Sequence, residues 1–206
     1  MLRGVSHELA AIGALPLALL LVLDARSGAG LAGAIVYGSS LVTLFLVSAL
    51  YHRPTWGPRA RTLLGRVDHA AIFLFIAGTY TPLCLLMGPG PGHALLVAVW
   101  VLAGLGGLLV CIWDDAPKAV RAALYGGLGW AFLPTVPTFT AALGSGALAW
   151  LFGGALLYSL GAIVFARRWP DPVPGWFGYH EVFHALVVAA AACHYLVVAR
   201  AVAVLG

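Results

Sequence analysis

The chain has 206 residues, of which 62% are apolar and 9% charged, with a formal net charge of +4. Soluble domains carry nearer 25% charged residues, and the eighteen charges present, eleven Lys+Arg and seven Asp+Glu, are too few to solvate a compact soluble domain of this length. A soluble globular fold is excluded, and at about 20 residues per transmembrane helix nothing is left over for a soluble domain.

Seven apolar runs follow in order over residues 7–24, 28–50, 69–87, 93–113, 120–142, 146–166 and 180–204, each bounded by charges, Pro/Gly clusters or both. Each is long enough to cross a bilayer. Helix is required, because a lipid-exposed backbone must satisfy its own hydrogen bonds and none of the runs shows the polar alternation of a barrel strand. The expected fold class is an all-α seven-transmembrane helix bundle, one domain over residues 1–206. The first run holds His7, Glu8 and Pro16 and has no clear cleavage site, so it reads as a retained span and not a signal peptide. Pro82 in the third run, and Pro134 with Pro137 in the fifth, remove intrahelical bonds and predict kinks. The stretches Gly104-Leu-Gly-Gly107 and Gly126-Gly-Leu-Gly129 read as packing surfaces where helices come close. Trp56, Trp113, Trp169 and Trp176 fall near span ends, as an interfacial belt requires. Cys84 and Cys111 lie at unequal depths, so these two and Cys193 read as buried apolar residues and not disulfide partners.

The basic residues predict the direction of crossing. Arg3, Arg53, Arg59, Arg61, Arg66, Lys118, Arg121, Arg167 and Arg168 precede span 1 or lie between spans 2 and 3, 4 and 5, or 6 and 7, which is nine of eleven; Arg26 and Arg200 fall on the other side. The N-terminus is therefore expected in the cytoplasm and the C-terminus outside, in a multi-pass membrane protein. Attraction of these loops to anionic lipid accounts for the basic pI without a nucleic-acid partner.

An ionisable side chain in hydrocarbon costs at least a few kcal/mol, so each is a functional candidate. Most gather at one depth: His52 ends span 2, Asp68 and His69 open span 3, and His180, Glu181 and His184 open span 7, all at the cytoplasmic face. His180 and His184 are spaced i, i+4, on one helix face about a turn apart, whereas Glu181 is turned roughly 100° away. This is a metal-ligand spacing, and His52 supplies a third nitrogen. Three imidazoles with a vacant fourth position make an open site, in which zinc lowers the pKa of a bound water toward about 7. Asp68 would hold or deprotonate that water, and Ser48, one turn before His52, would donate to the developing oxyanion or orient Asp68. His69 and Glu181 fit outer roles, as acceptors for ligand imidazoles or as structural partners, and His7 and Glu8 are weaker candidates at the same depth. His194 lies about 15 Å deeper by helical rise, too far to bind the same ion. His93 falls in an outer loop, in water.

On three motifs in order the chain resembles the hemolysin III family, the bacterial branch of the progestin and adipoQ receptor superfamily. They are Ser48-Ala-Leu-Tyr-His52; Asp68-His-Ala-Ala-Ile-Phe-Leu-Phe-Ile-Ala-Gly-Thr-Tyr-Thr-Pro82; and His180-Glu-Val-Phe-His184, followed by Ala185-Leu-Val-Val-Ala-Ala-Ala191 and then His194. The resemblance implies seven helices with a cytoplasmic N-terminus, zinc on His52, His180 and His184, Asp68 contacting zinc through water and Ser48 nearby. Related receptors and alkaline ceramidases look like membrane hydrolases of lipid amides, so the expected function is a zinc-dependent hydrolase of a lipid amide or ester bond, with a membrane lipid as substrate. Two alternatives stay open: a pore-forming cytolysin, after the activity that named the bacterial members, and a membrane-homeostasis sensor in which zinc is a structural brace. The long N-terminal region of the animal receptors is not seen here, so nothing points to a hormone receptor.

Overall fold

The computed structural model describes residue 2 and residues 4–113 and 116–205. Arg3 and the side chain of Lys118, both counted among the cytoplasmic basic residues, lie outside what is described. The described chain is helical, with one isolated antiparallel bridge between Val173 and Phe177. The helices are α1 Val5–Asp24, α2 Gly28–His52, α3 Pro58–Met87, α4 Pro91–Ile112, α5 Lys118–Gly129, α6 Val136–Arg167 and α7 Tyr179–Leu205. Six helical segments are long and apolar enough to cross a membrane: Val5–Asp24, Gly28–His52, Pro58–Met87, Pro91–Ile112, Ala119–Arg167 and Tyr179–Leu205.

Two boundaries differ from the sequence reading. The third helix begins at Pro58 and not near residue 69, with Pro at its first position, where the missing N–H costs nothing. Arg59, Arg61 and Arg66 therefore ride on the helix, and Asp68 and His69 sit well inside it. The segment Ala119–Arg167 holds 49 residues, more than twice the roughly 20 that one crossing takes. It breaks twice, at a 3-10 turn Leu133–Thr135 containing Pro134 and at Gly144, where φ 82° and ψ 168° leave helical geometry. Within this segment the Trp130 indole N–H donates to Ser159 Oγ at 3.0 Å, across 29 residues. A straight helix would hold those positions about 44 Å apart, so the chain doubles back between them. Pro82, by contrast, lies inside a continuous α3.

Helix contacts are built on small residues. A Cβ at Gly38 would stand 2.8 Å from Ala18 Cβ and one at Gly33 would stand 2.9 Å from Pro82 Cβ; one at Gly106 would strike the Phe73 ring and one at Gly154 the His194 ring. Outward faces carry large apolar residues, such as Ile112 at 71% exposure and Leu23 at 69%, the arrangement of a bundle solvated by lipid. The interior collects Ala34, Tyr37, Ala77, Ala190, Val198 and Val202. The last helix, α7, packs on α6 and also along α1, α2 and α3, which brings the start of α7 beside the end of α2.

If these glycines are close-approach sites, Gly38→Ala should lower the thermal stability of the detergent-solubilised protein by about 1–3 kcal/mol. Gly104→Ala, with nothing within 4 Å of its added Cβ, should be neutral or stabilising by up to about 1 kcal/mol. Melting curves of the two variants side by side check this.

Candidate metal centre

The start of α7 is pinned by two carboxylates that accept from N–H groups helices leave unpaired at their N-termini. Glu181 Oε2 accepts from Gly178 N at 3.0 Å and Asp171 Oδ1 from Tyr179 N at 3.2 Å. Glu181 thereby fixes the turn that carries His180. The end of α2 is held from α1. Gly4, the residue before α1, has φ +79° and faces His52, so that a Cβ there would stand 2.8 Å from the His52 Cβ; both the backbone angle and the space call for glycine. Arg53 Nε donates to Glu8 Oε2 at 2.7 Å on the exposed side of the same junction.

With both ends fixed, three imidazoles converge. His52, His180 and His184 each offer a ring nitrogen, and these atoms lie within 4.8 Å of one another. The Nε2 atoms of His52 and His180 are 3.3 Å apart. Two ligands of a tetrahedral ion at about 2.05 Å stand roughly 3.3 Å from each other, so this pair fits without rearrangement. His184 is 2% exposed, and Phe183 lies 5.6 Å from its ring, while Phe165 lies 5.7 Å from that of His180. The donor set is all nitrogen, which suits zinc among several transition metals.

Ser48 and Asp68 lie beside the cluster. The Asp68 side chain hydrogen-bonds to the Ser48 hydroxyl, and His7 Nδ1 is 2.8 Å from Ser48 Oγ. An ionised Asp68 can only accept, an arrangement that would give it the Ser48 proton and leave Ser48 Oγ to accept from an Nδ1–H of His7. The ring of His7 stacks on that of His184, centroids 3.8 Å apart and planes 8° from parallel. Sequence reasoning rated His7 below the other candidates, because depth alone tells nothing of the direction in which a helix faces. The one signal was its place in the first turn of α1, at the depth of His52.

Of the other candidates, His69 has Nδ1 3.8 Å from Asp68 Oδ2 and lines a separate basic cavity with Arg66 and Arg121. His194 lies apart from the cluster, its Nε2 3.2 Å from Leu151 O and its ring 5.4 Å from Tyr158, where it joins α7 to α6. His93 is exposed near the start of α4. Cys84, Cys111 and Cys193 are free.

Residues 1–195 match the sequence profile of the family described as Haemolysin-III related. The chain belongs to the hemolysin III family. It is 34% identical over 197 residues to Hemolysin-3 of Bacillus cereus, covering 92% of this chain and 85% of that one. It is 31% identical over 203 residues to the Hemolysin-3 homolog of Bacillus subtilis, covering 95% and 91%. A human protein, monocyte to macrophage differentiation factor, is 30% identical over 169 residues, covering 78% and 66%. Family membership and the apolar helices make this a multi-pass membrane protein with three histidines able to hold a metal ion.

Metal analysis of the purified protein should find one transition-metal ion per chain, lost in His180→Ala and kept in His194→Ala. His7→Ala, which removes the ring stacked on His184, should weaken metal affinity about 10–100-fold, the usual cost of losing a residue that supports a ligand.

Proposed function

We propose that this chain is a zinc-dependent hydrolase of a lipid amide or ester bond, with seven membrane crossings in one domain. The observation that carries the reading is the convergence of His52, His180 and His184 within 4.8 Å next to a hydrogen-bonded Ser48 and Asp68. Zinc, when bound, supplies Lewis acidity toward a carbonyl oxygen and a nucleophile from water at neutral pH.

The chain's own groups divide the remaining work. Asp68 accepts a proton from the attacking water and later returns it to the leaving amine or alkoxide. Ser48 turns its proton to Asp68 and holds the carboxylate in place, while His7 sets the Ser48 hydroxyl through its Nδ1–H and steadies the His184 ring by stacking. Phe45, with its ring 5.1 Å from that of His7, together with Phe165 and Phe183, narrows the access of water to the imidazoles.

The crossings are α1, α2, α3, α4, α5 continuing to Gly144, the rest of α6, and α7. The N-terminus is cytoplasmic and the C-terminus outside, in the inner membrane. The break at Gly144 and the Trp130–Ser159 bond support the reversal. The described Arg53, Arg59, Arg61, Arg66, Arg121, Arg167 and Arg168 all fall at the helix ends this topology assigns to the cytoplasm. The printed name of the Bacillus cereus relative favours a second reading, a pore-forming cytolysin. Conductance in planar bilayers that survives replacement of all three histidines would support it. A metal serving only as a structural brace would give metal-dependent stability with no turnover.

Protein stripped of metal and reloaded with zinc should regain cleavage of a lipid amide, and His184→Ala should not. Asp68→Asn should keep its metal while losing about 10²–10⁴-fold in turnover, the range for removing a general base. Equal cleavage by apo-protein, reloaded protein and His184→Ala would overturn the reading. For topology, in a background without the three native cysteines, an impermeant maleimide on intact cells should label His93→Cys. Arg59→Cys should react only after permeabilisation.

A further inference from the structure

Two cavities with neighbouring walls run along α3, α4 and α5. The first, about 480 Å³, is walled by Arg61 and Arg66 with His69 on α3, by Arg121 on α5, by Val110 on α4 and by Tyr51. The second, about 600 Å³, has an apolar wall that includes Phe73, Leu105, Leu109, Ala123 and Leu124. α3, α4 and α5 wall both, with Tyr51 of α2 added at the first, and each of the three passes from one to the other within about a turn: His69 to Phe73, Val110 to Leu109, Arg121 to Leu124. A basic compartment thus sits on an apolar one.

The guanidiniums are set for an anion. Arg61 is stacked over Tyr51 with its Cζ 5.5 Å from the ring centroid. Arg121 Nε is buried with no hydrogen-bond partner among the described residues, a donor whose desolvation is left uncompensated. No acidic side chain is among the described residues of either wall. Planar guanidiniums match phosphate oxygens bidentately, and basic pockets between helices at a membrane's cytoplasmic side take anionic headgroups.

We infer that these neighbouring cavities seat one anionic phospholipid, with its phosphate between Arg61 and Arg121 and an acyl chain along Phe73, Leu105 and Leu124. None of the three imidazoles lines either cavity, although Tyr51 of the first stands 4.5 Å from the His52 ring; the proposal does not rest on the hydrolase reading, because its test reads binding and not turnover.

The full-length protein, delipidated in a neutral detergent, is titrated with phosphatidylglycerol, phosphatidylcholine, diacylglycerol or inorganic phosphate. Retention is read by native mass spectrometry and stability by melting temperature. Phosphatidylglycerol should be retained and raise the melting temperature, and the others should do so weakly or not at all. The double variant Arg61→Gln/Arg121→Gln should hold phosphatidylglycerol about tenfold more weakly, as expected for lost charge-assisted hydrogen bonds. Leu105→Trp, which fills the apolar compartment and leaves the arginines in place, should weaken it too. Stabilisation by inorganic phosphate equal to that by the lipid would overturn the proposal in favour of a free-anion pocket. Equal retention of phosphatidylcholine by the wild-type protein, or undiminished retention of phosphatidylglycerol by either variant, would also overturn it.

Discussion

A polar group inside a bilayer has no water to turn to, so it must find another part of the protein. That constraint organises this molecule wherever a helix is interrupted. α5 ends just before the turn at Leu133–Thr135, and its last carbonyls meet the Tyr80 hydroxyl, 3.1 Å from Leu128 O and 2.9 Å from Gly129 O. Where Gly144 breaks α6, Arg200 Nε donates to Leu143 O at 2.9 Å. Tyr195 donates to Leu17 O, and His194 Nε2 lies against Leu151 O. The bonds at Leu128, Gly129 and Leu143 serve carbonyls beside the helix breaks, and all of these contacts tie together elements far apart in sequence.

The histidine cluster follows the same rule with side chains in place of carbonyls. Five of its groups, His7, Ser48, His52, His180 and His184, meet one another across α1, α2 and α7. Asp68 joins from α3 through Ser48. The capping of α7 by Asp171 and Glu181 and the close fit of Gly4 on His52 set ring positions before any ion is considered. That is the rigid support a precise ligand set needs.

Hydropathy made the membrane class and most helix positions legible, because a run of apolar residues cannot stay in water. The i, i+4 spacing of His180 and His184 and the shared depth of His52 made legible a histidine cluster able to hold a metal ion. Charge masked the start of α3, where arginines on a helix that extends past the apolar run look like a loop. Pro134 signalled the break in the fifth run, but the partner that compensates it, Tyr80, is 48 residues from Leu128 and depends on how α3 and α5 face each other. The same holds for His7. Its depth could be read, but the 8° stack on His184 follows from helix rotation, which no periodicity in α1 specifies, since its outward and inward faces are both apolar.

Arg200 was visible in the sequence only as one of two basic residues on the sparsely charged side. Bound to Leu143 O, it becomes the stopper of a helix that ends inside the protein, placed by the last helix of the chain. The histidine cluster is divided in the same way: one member lies in the first third of the sequence and two lie in α7. A chain that stops short of α7 therefore has an open backbone end at Leu143 and a single imidazole where three otherwise meet, so the histidine cluster and the closure of the bundle both wait on the final helix.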